Sequence, residues 1–396
     1  MQSSRLSHDL KLWAPYVMEI SMLGYLFLIP LEHASLGKNL FLGSGILAWG
    51  LEHYFFKKDG LSGHRILDKY ILIYIVAILI SAYFSKDLLI STRALRGDIS
   101  KLLLVYILAV RVYREPAPIR RLFYTLVAFS AIVTVYSITG YLLHWPSVVM
   151  PEGQVKGPFG YFNACGHYLA YHFLIALAFF IREEHNKLKY LWSVILSLQL
   201  VLILLSQSRT ALVAVIIGAV SLLLLQPHNR KTLATLSLII LITLGLGFSN
   251  GTLFNRFLTI LDPATYKEVS NRTVIWRDTI KWSQDRPWIG NGYGVDLFSK
   301  TAQFYSKPKN YVHAHNTFLE ILFESGIIGL STYLILFFRA AWYSYRLRSR
   351  TAIHPLLLSL FILIFFLSLT ETIFLTGRFG VFLWVLFALV AQKHTD

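Results

Sequence analysis

Cysteine is almost missing from this chain. Cys165 is alone among 396 residues, so no intramolecular disulfide can form and dithiol redox chemistry is excluded. Charge is scarce as well: Asp, Glu, Lys and Arg make up 15% of the residues against 55% for the apolar types, where a soluble domain carries about a quarter charged. Acidic residues are the scarcer sign, 21 against 37 basic ones. No Asp-x-Asp occurs and no His-Glu-x-x-His, so a carboxylate-held metal has no evident seat. No Walker A sequence occurs, which excludes direct ATP use by that route. No apolar stretch carries regularly repeated carboxylates or lysines, which counts against an ion-coupled transporter.

What the chain has in quantity is apolar runs long enough to cross a hydrocarbon core, which takes about 20 residues each. The sequence predicts an all-α integral membrane protein, a single polytopic domain over 1–396. Twelve spans are expected near 14–31, 39–56, 70–85, 98–113, 122–144, 164–181, 190–206, 209–226, 232–249, 317–339, 355–374 and 378–392. Alternate short loops are basic: Lys57 with Lys58, Arg111 with Arg114, Lys187 with Lys189, Arg230 with Lys231, and Arg346 with Arg348 and Arg350. Those loops are expected in the cytoplasm, together with both termini. No cleavable signal pattern follows the polar first residues, so the N-terminus is expected to be retained. The basic excess fits this topology, anionic lipids and phosphates better than nucleic acid.

The opposite face receives the informative segments, among them a long loop over 250–314 before the tenth span, expected to contain short helices. Gly157, Pro158, Phe159, Gly160 and Asn163 read as a tight, ordered turn. Arg209 sits in the very short hairpin Ser206-Gln207-Ser208-Arg209-Thr210 between two apolar helices. A guanidinium there needs an anionic partner, either a substrate or a lipid phosphate reached by snorkelling. In the long loop, Phe254-Asn255-Arg256 is followed by an amphipathic stretch from Arg272 to Trp282. It has Ile275, Thr279 and Trp282 on one side and Arg277, Asp278 and Lys281 elsewhere, and suits a helix lying on the membrane surface. The Gly290-Asn291-Gly292-Tyr293-Gly294 turn brings backbone amides within reach of a phosphate, though no preceding strand supports a nucleotide fold. Glu371 and Arg378 flank the last external turn and are read as a structural ion pair.

The centre of the chain is Tyr311–Leu330, where a polar loop with His313 and His315 runs into an apolar helix. Thr317-Phe318-Leu319-Glu320 has capping-box spacing, so the helix is expected to start at Thr317. His315 then lies by the positive end of the helix dipole, which attracts anions and disfavours imidazolium. A neutral imidazole beside a bound anion suits a general base; a histidine at a membrane interface also serves as a plain polar cap. The His313-x-His315 pair offers two ligands to zinc without an evident third. One imidazole and several arginines on one face suit transfer from a lipid-linked diphosphate, since arginine binds phosphate bidentately.

These residues match a known pattern. His315-Asn316, nine residues, then Gly326-Ile327-Ile328-Gly329 resembles the His-[Asn/Ser/Gln]-x9-Gly-x-x-[Gly/Thr/Tyr] signature of the O-antigen ligases. That family also covers Wzy-type O-antigen polymerases and bacterial protein O-oligosaccharyltransferases. The turn ending at Asn163, Ser208-Arg209-Thr210-Ala211, Asn271-Arg272 with Trp276, and Pro287 with Gly290 and Gly292 resemble its other motifs, in the same order over roughly residues 155–340. The resemblance implies an inverting, metal-independent glycosyltransferase without a cofactor. Its donor would be O-antigen on undecaprenyl diphosphate, and its acceptor a sugar hydroxyl of lipid A–core at the periplasmic face. It implies His315 as the base and Arg209 and Arg272 as diphosphate ligands. His313, Arg277 and Asn163 are secondary candidates, and His313 leaves open which imidazole is the base. One dominant external loop, and a chain that stops at Asp396 just after the last span, favour a ligase over a polymerase or a protein oligosaccharyltransferase. A lipid or oligosaccharide transporter is the non-enzymatic alternative.

Overall fold

The computed structural model describes residues 2–31, 33–56, 65–248, 267–305, 311–372 and 379–392. Among these the architecture is helical, with one isolated antiparallel bridge between Val149 and Val155. In order come α1 (Gln2–Phe27), α2 (Ser35–Phe56), α3 (Asp68–Tyr83) and α4 (Leu88–Ala94), which passes through a π turn (Leu95–Ile99) into α5 (Ser100–Val112). Then follow α6 (Pro116–Leu142), α7 (Phe162–Arg182), α8 (Asn186–Ser206), α9 (Arg209–Leu225) and α10 (Arg230–Phe248). The last five are α11 (Lys267–Ser283), α12 (Val295–Tyr305), α13 (Thr317–Arg346), α14 (His354–Ser368) and α15 (Gly380–Ala391).

Among the described residues the expected apolar stretches overlap helices. Helices α6, α7, α8 and α13 are long and apolar enough to cross a membrane, while α9, α14 and α15 are apolar but shorter. Helix α1 begins at Gln2, well before its apolar stretch, because hydropathy marks where a helix can meet lipid and not where its hydrogen bonding starts. The bundle is that of a helical membrane protein. Helices α14 and α15 are apolar all round, and α15 is buried along its whole length, as such a helix must be at the centre of a bundle. The outer helices expose Trp13, Tyr54, Leu224 and Leu241, the reverse of a water-soluble surface.

Two carboxylates inside the bundle are paired with arginines. Arg121 forks onto Glu19 with two bonds of 2.7 Å, joining α6 to α1. Arg111 donates to Glu52, which is buried, joining α5 to α2. A lone carboxylate at such depth would be costly; the guanidinium fork satisfies both oxygens.

Helix α13 holds the feature that organises the rest. At Gly326 the backbone of α13 leaves helical geometry, with φ +64° and ψ −166°, a region open in practice only to glycine. The helical hydrogen bonds lost there are replaced from outside. Ile327 and Ile328 donate their N–H groups to the carbonyls of Pro287 and Trp288 at 2.8 and 3.1 Å. In return Asn291 and Gly292 donate to the carbonyls of Phe323 and Glu324 at 2.9 and 3.0 Å, and the Ser81 hydroxyl adds a 2.6 Å bond to Glu324 O. Broken helix at membrane depth is tolerated only when protein re-satisfies it in this way. Gly290 is the other half of the joint: a Cβ there would stand 2.3 Å from Glu324 O. Two glycine motifs far apart in sequence are thus one piece of structure.

This corrects two expectations. The amides of the 290–294 turn do not form a phosphate cradle, because four of the five are spent on Arg286 O, Phe323 O, Glu324 O and, from Gly294, Glu324 Oε1. Helix α11 is amphipathic as expected, but it does not rest its apolar face on a membrane surface. Ile275, Thr279 and Trp282 are buried; Ile275 and Trp282 pack with Phe298 of α12 and Phe323 of α13.

Candidate active site

Helix α13 starts at Thr317, as its spacing predicts, but the cap is Asn316. Its Oδ1 accepts the N–H groups of Phe318 and Leu319 at 3.0 and 3.1 Å. Asn316 Nδ2 then donates to Leu369 O at 3.0 Å, and the Thr317 hydroxyl donates to Glu371 O at 2.6 Å. The start of α13 therefore grips the segment after α14 and fixes Glu371. The capping-box partner Glu320 turns elsewhere, accepting the N–H of Ala314 at 2.6 Å.

Glu371, 5% exposed, is the hub. Its Oε1 accepts from Arg272 Nη2 of α11 at 3.1 Å and from Asn163 Nδ2 at the start of α7 at 3.1 Å. Its Oε2 lies 3.5 Å from His315 Nδ1. Burial by itself would raise the carboxyl pKa; the His315 contact and the charges of His167, His315 and Arg272 outweigh it and bring it down to about 2. The expected ion pair of Glu371 with Arg378 lies outside the described residues, as do Phe254, Asn255 and Arg256. Among the described residues Glu371 binds Arg272 and faces His315.

The geometry also separates the two imidazoles. His313 Nδ1 accepts the backbone N–H of His315 at 3.3 Å, and the two rings stand 4.0 Å apart. Burial first, then the neighbouring His315, hold the His313 pKa down to about 4, so at neutral pH it stays an uncharged acceptor. His315 has φ +50°, one of three non-glycine residues at positive φ among the described ones. Its Nδ1 faces a carboxylate, which favours the proton on that nitrogen and leaves Nε2 with the lone pair.

Arg209 is the first residue of α9. Its neighbour Thr210 lies 2.9 Å, hydroxyl to Nε2, from the buried His167, one turn along α7 from Asn163. That contact ties the start of α9 to the helix that carries Asn163. Arg277 is exposed, five positions beyond Arg272 and so on a different flank of α11, outside the cluster. Sequence reasoning gave Glu371 only a structural ion pair and did not single out His167; the available signal was a lone carboxylate after one apolar helix and a histidine near the start of another. Beside the Lys156–Gly160 turn opens a cleft of about 600 Å³ lined by Leu31, His33, Tyr136, Lys156, Pro158 and others. Among the described residues no group of three or more His, Cys, Asp or Glu is arranged to hold a metal ion.

Fold and site together define a helical membrane protein in which one buried carboxylate gathers a histidine, an arginine and an asparagine at one end of the bundle. Residues 192–334 match the model of the O-antigen ligase family, Wzy_C. Over 154 residues the chain is 27% identical to an O-antigen ligase of Pseudomonas aeruginosa, a match covering 38% of this chain and 34% of that protein, about a third of the relative's length. Both comparisons thus find similarity to O-antigen ligases, each over little more than a third of this chain. The matched domain holds Arg209, Arg272, His313, His315 and the Gly326 break, while Asn163 and Glu371 lie outside it.

Proposed function

We propose that this protein is an O-antigen ligase of the bacterial inner membrane. With twelve crossings and both termini in the cytoplasm, its site faces the periplasm. It transfers O-antigen from undecaprenyl diphosphate to a sugar hydroxyl of lipid A–core. The observation that carries the reading is the convergence of His315, Arg272 and Asn163 on Glu371, inside a fold whose central domain matches the ligase family.

The chemistry follows from the groups present. His315 Nε2 takes the proton of the acceptor hydroxyl as its oxygen attacks the anomeric carbon. The bond from that carbon to the diphosphate oxygen breaks on the opposite face, so configuration inverts. Arg209 and Arg272 take up the charge that develops on the departing diphosphate. Glu371 keeps the His315 proton on Nδ1 and stabilises the imidazolium once it forms, a role its low pKa suits because it stays ionised. Arg272 is already paired with Glu371, so the arriving diphosphate meets a pre-oriented guanidinium. His313, uncharged and engaged as an acceptor, supports the loop and is not the base.

The test is transfer in vitro with purified protein, lipid-linked oligosaccharide and lipid A–core, with EDTA present and ATP absent. A new glycolipid that disappears with His315→Ala is the expected result. Chains that lengthen on the lipid carrier would make the protein a polymerase, and neither product would return the transporter reading.

A further inference from the structure

The peptide between the two histidines is held on every side. Ala314, itself fully buried, donates its N–H to Glu320 Oε2 at 2.6 Å. Its carbonyl accepts the indole N–H of Trp276 at 3.1 Å. The next N–H, of His315, goes to His313 Nδ1 at 3.3 Å. Three consecutive polar groups of the backbone are thus fixed just where the chain takes the left-handed turn at His315, φ +50°. A β-carbon residue at positive φ is held there by its surroundings and not by its own preference.

The two outer partners come from rigid elements that also carry other parts of the site. Glu320 lies in the first turn of α13, one turn after the Asn316 cap whose side chain and neighbour grip the Glu371 segment. Trp276 lies four residues after Arg272 on α11, so both project from one flank of that helix. The helix that presents the guanidinium therefore also sets the height of the base. Glu320 has no partner for Oε1 within hydrogen-bond reach, although that oxygen is buried. A buried carboxyl oxygen left without a partner is costly, and hydrophobic packing alone would be served better by leucine.

We infer that Glu320 and Trp276 are positioning residues that clamp the Ala314 peptide from both sides and so aim the His315 imidazole at the acceptor oxygen. The inference rests on the ligase reading for its kinetic consequence and on geometry alone for its structural one. Neither residue touches substrate; each acts through the backbone of the loop.

The experiment compares Glu320→Gln, Glu320→Ala and Trp276→Phe in the full-length protein in nanodiscs, with two readouts. Transfer kinetics give kcat and KM for the lipid-linked donor, and ¹⁵N-histidine NMR follows the ring nitrogens of His315 against pH. Gln keeps an acceptor for the Ala314 N–H, so Glu320→Gln retains kcat within about 5-fold of wild type, while Glu320→Ala loses about 100-fold, the scale on which displacement by about 1 Å acts. Trp276→Phe keeps the ring and loses one hydrogen bond, for about a 10-fold fall in kcat. In each case donor KM stays within 2-fold, since the diphosphate ligands are untouched, roughly the pattern of a contact used only in the transition state. The His315 signals move in Glu320→Ala and Trp276→Phe and keep their wild-type titration in Glu320→Gln. Wild-type kcat with unchanged His315 signals in Trp276→Phe and Glu320→Ala overturns the clamp, as does a loss confined to KM. Should Glu320→Ala fail to fold, Trp276→Phe and Glu320→Gln decide by the same criteria. If the wild-type protein shows no transfer, the ligase reading falls while the NMR comparison still judges the clamp.

Discussion

Replacing Gly326 with alanine tests the central joint of the fold. At φ +64° and ψ −166° any residue with a Cβ is strained by about 1–3 kcal/mol. The new methyl group would stand 2.4 Å from the carbon and oxygen of Trp288 and 2.7 Å from Gly290 N, all backbone atoms, so relief requires the 287–292 segment to move away. Overpacking of that kind costs about 1–3 kcal/mol more. If the segment does move, the paired bonds of Ile327, Ile328, Asn291 and Gly292 weaken together, at about 1 kcal/mol each. Strain and overpacking alone come to about 2–6 kcal/mol, and the weakened bonds add to that, a large share of the 5–15 kcal/mol that holds a typical domain. The assay is thermal unfolding in detergent with transfer activity measured alongside. Gly43→Ala serves as the control, because a Cβ at Gly43 of α2 meets nothing within 4 Å and alanine favours helix. The expected outcome is a marked fall in Tm and in activity for Gly326→Ala and none for Gly43→Ala. Equal Tm and activity for both variants would refute the argument that the helix break and the docked turn form one unit.

The remaining predictions concern charge. Arg272→Lys and Arg209→Lys are expected to recover little of the activity lost in the alanine variants, by kcat/KM for the donor, because an ammonium cannot reproduce the bidentate fork; full rescue by lysine would remove that geometry from the mechanism. Glu371→Gln is expected to lower kcat by about 100-fold through loss of the counter-charge to imidazolium, with expression retained. The same substitution has a pH signature. The folded carboxyl pKa is depressed from 4.5 to about 2, so its contribution is fully present above about pH 4.5 and is lost as pH falls through about 2; it amounts to about 3 kcal/mol. The stability gap between wild type and Glu371→Gln, read from unfolding between pH 6 and 2, should therefore narrow as pH falls, and a constant gap would contradict the assigned ionisation.

Composition and periodicity alone carried the helical class, the apolar helices and the amphipathic face of α11, because burial in lipid or in a core imposes hydropathy on each residue separately. The motifs around Arg209, Arg272 and His315 were legible for a related reason: few polar groups survive among so many apolar ones, and those few stand out. Tertiary structure decided what these groups do to each other. Glu371 lies 56 positions beyond His315 and 99 beyond Arg272 in the sequence, and only the packing of α7, α11, α13 and α14 brings three such distant stretches onto one carboxylate. The turn at Gly290 and the Gly-x-x-Gly of α13 look like separate punctuation, one even like a phosphate cradle, until their carbonyls and amides are seen to complete each other. Thr317 and Glu320 satisfy a local capping rule in sequence, yet in the fold each is drawn to a partner the rule does not contain, Glu371 O and Ala314 N. Local sequence fixes what a segment can form by itself; hydrogen bonds between segments depend on where the backbone of the other segment lies, and that is set by the whole bundle.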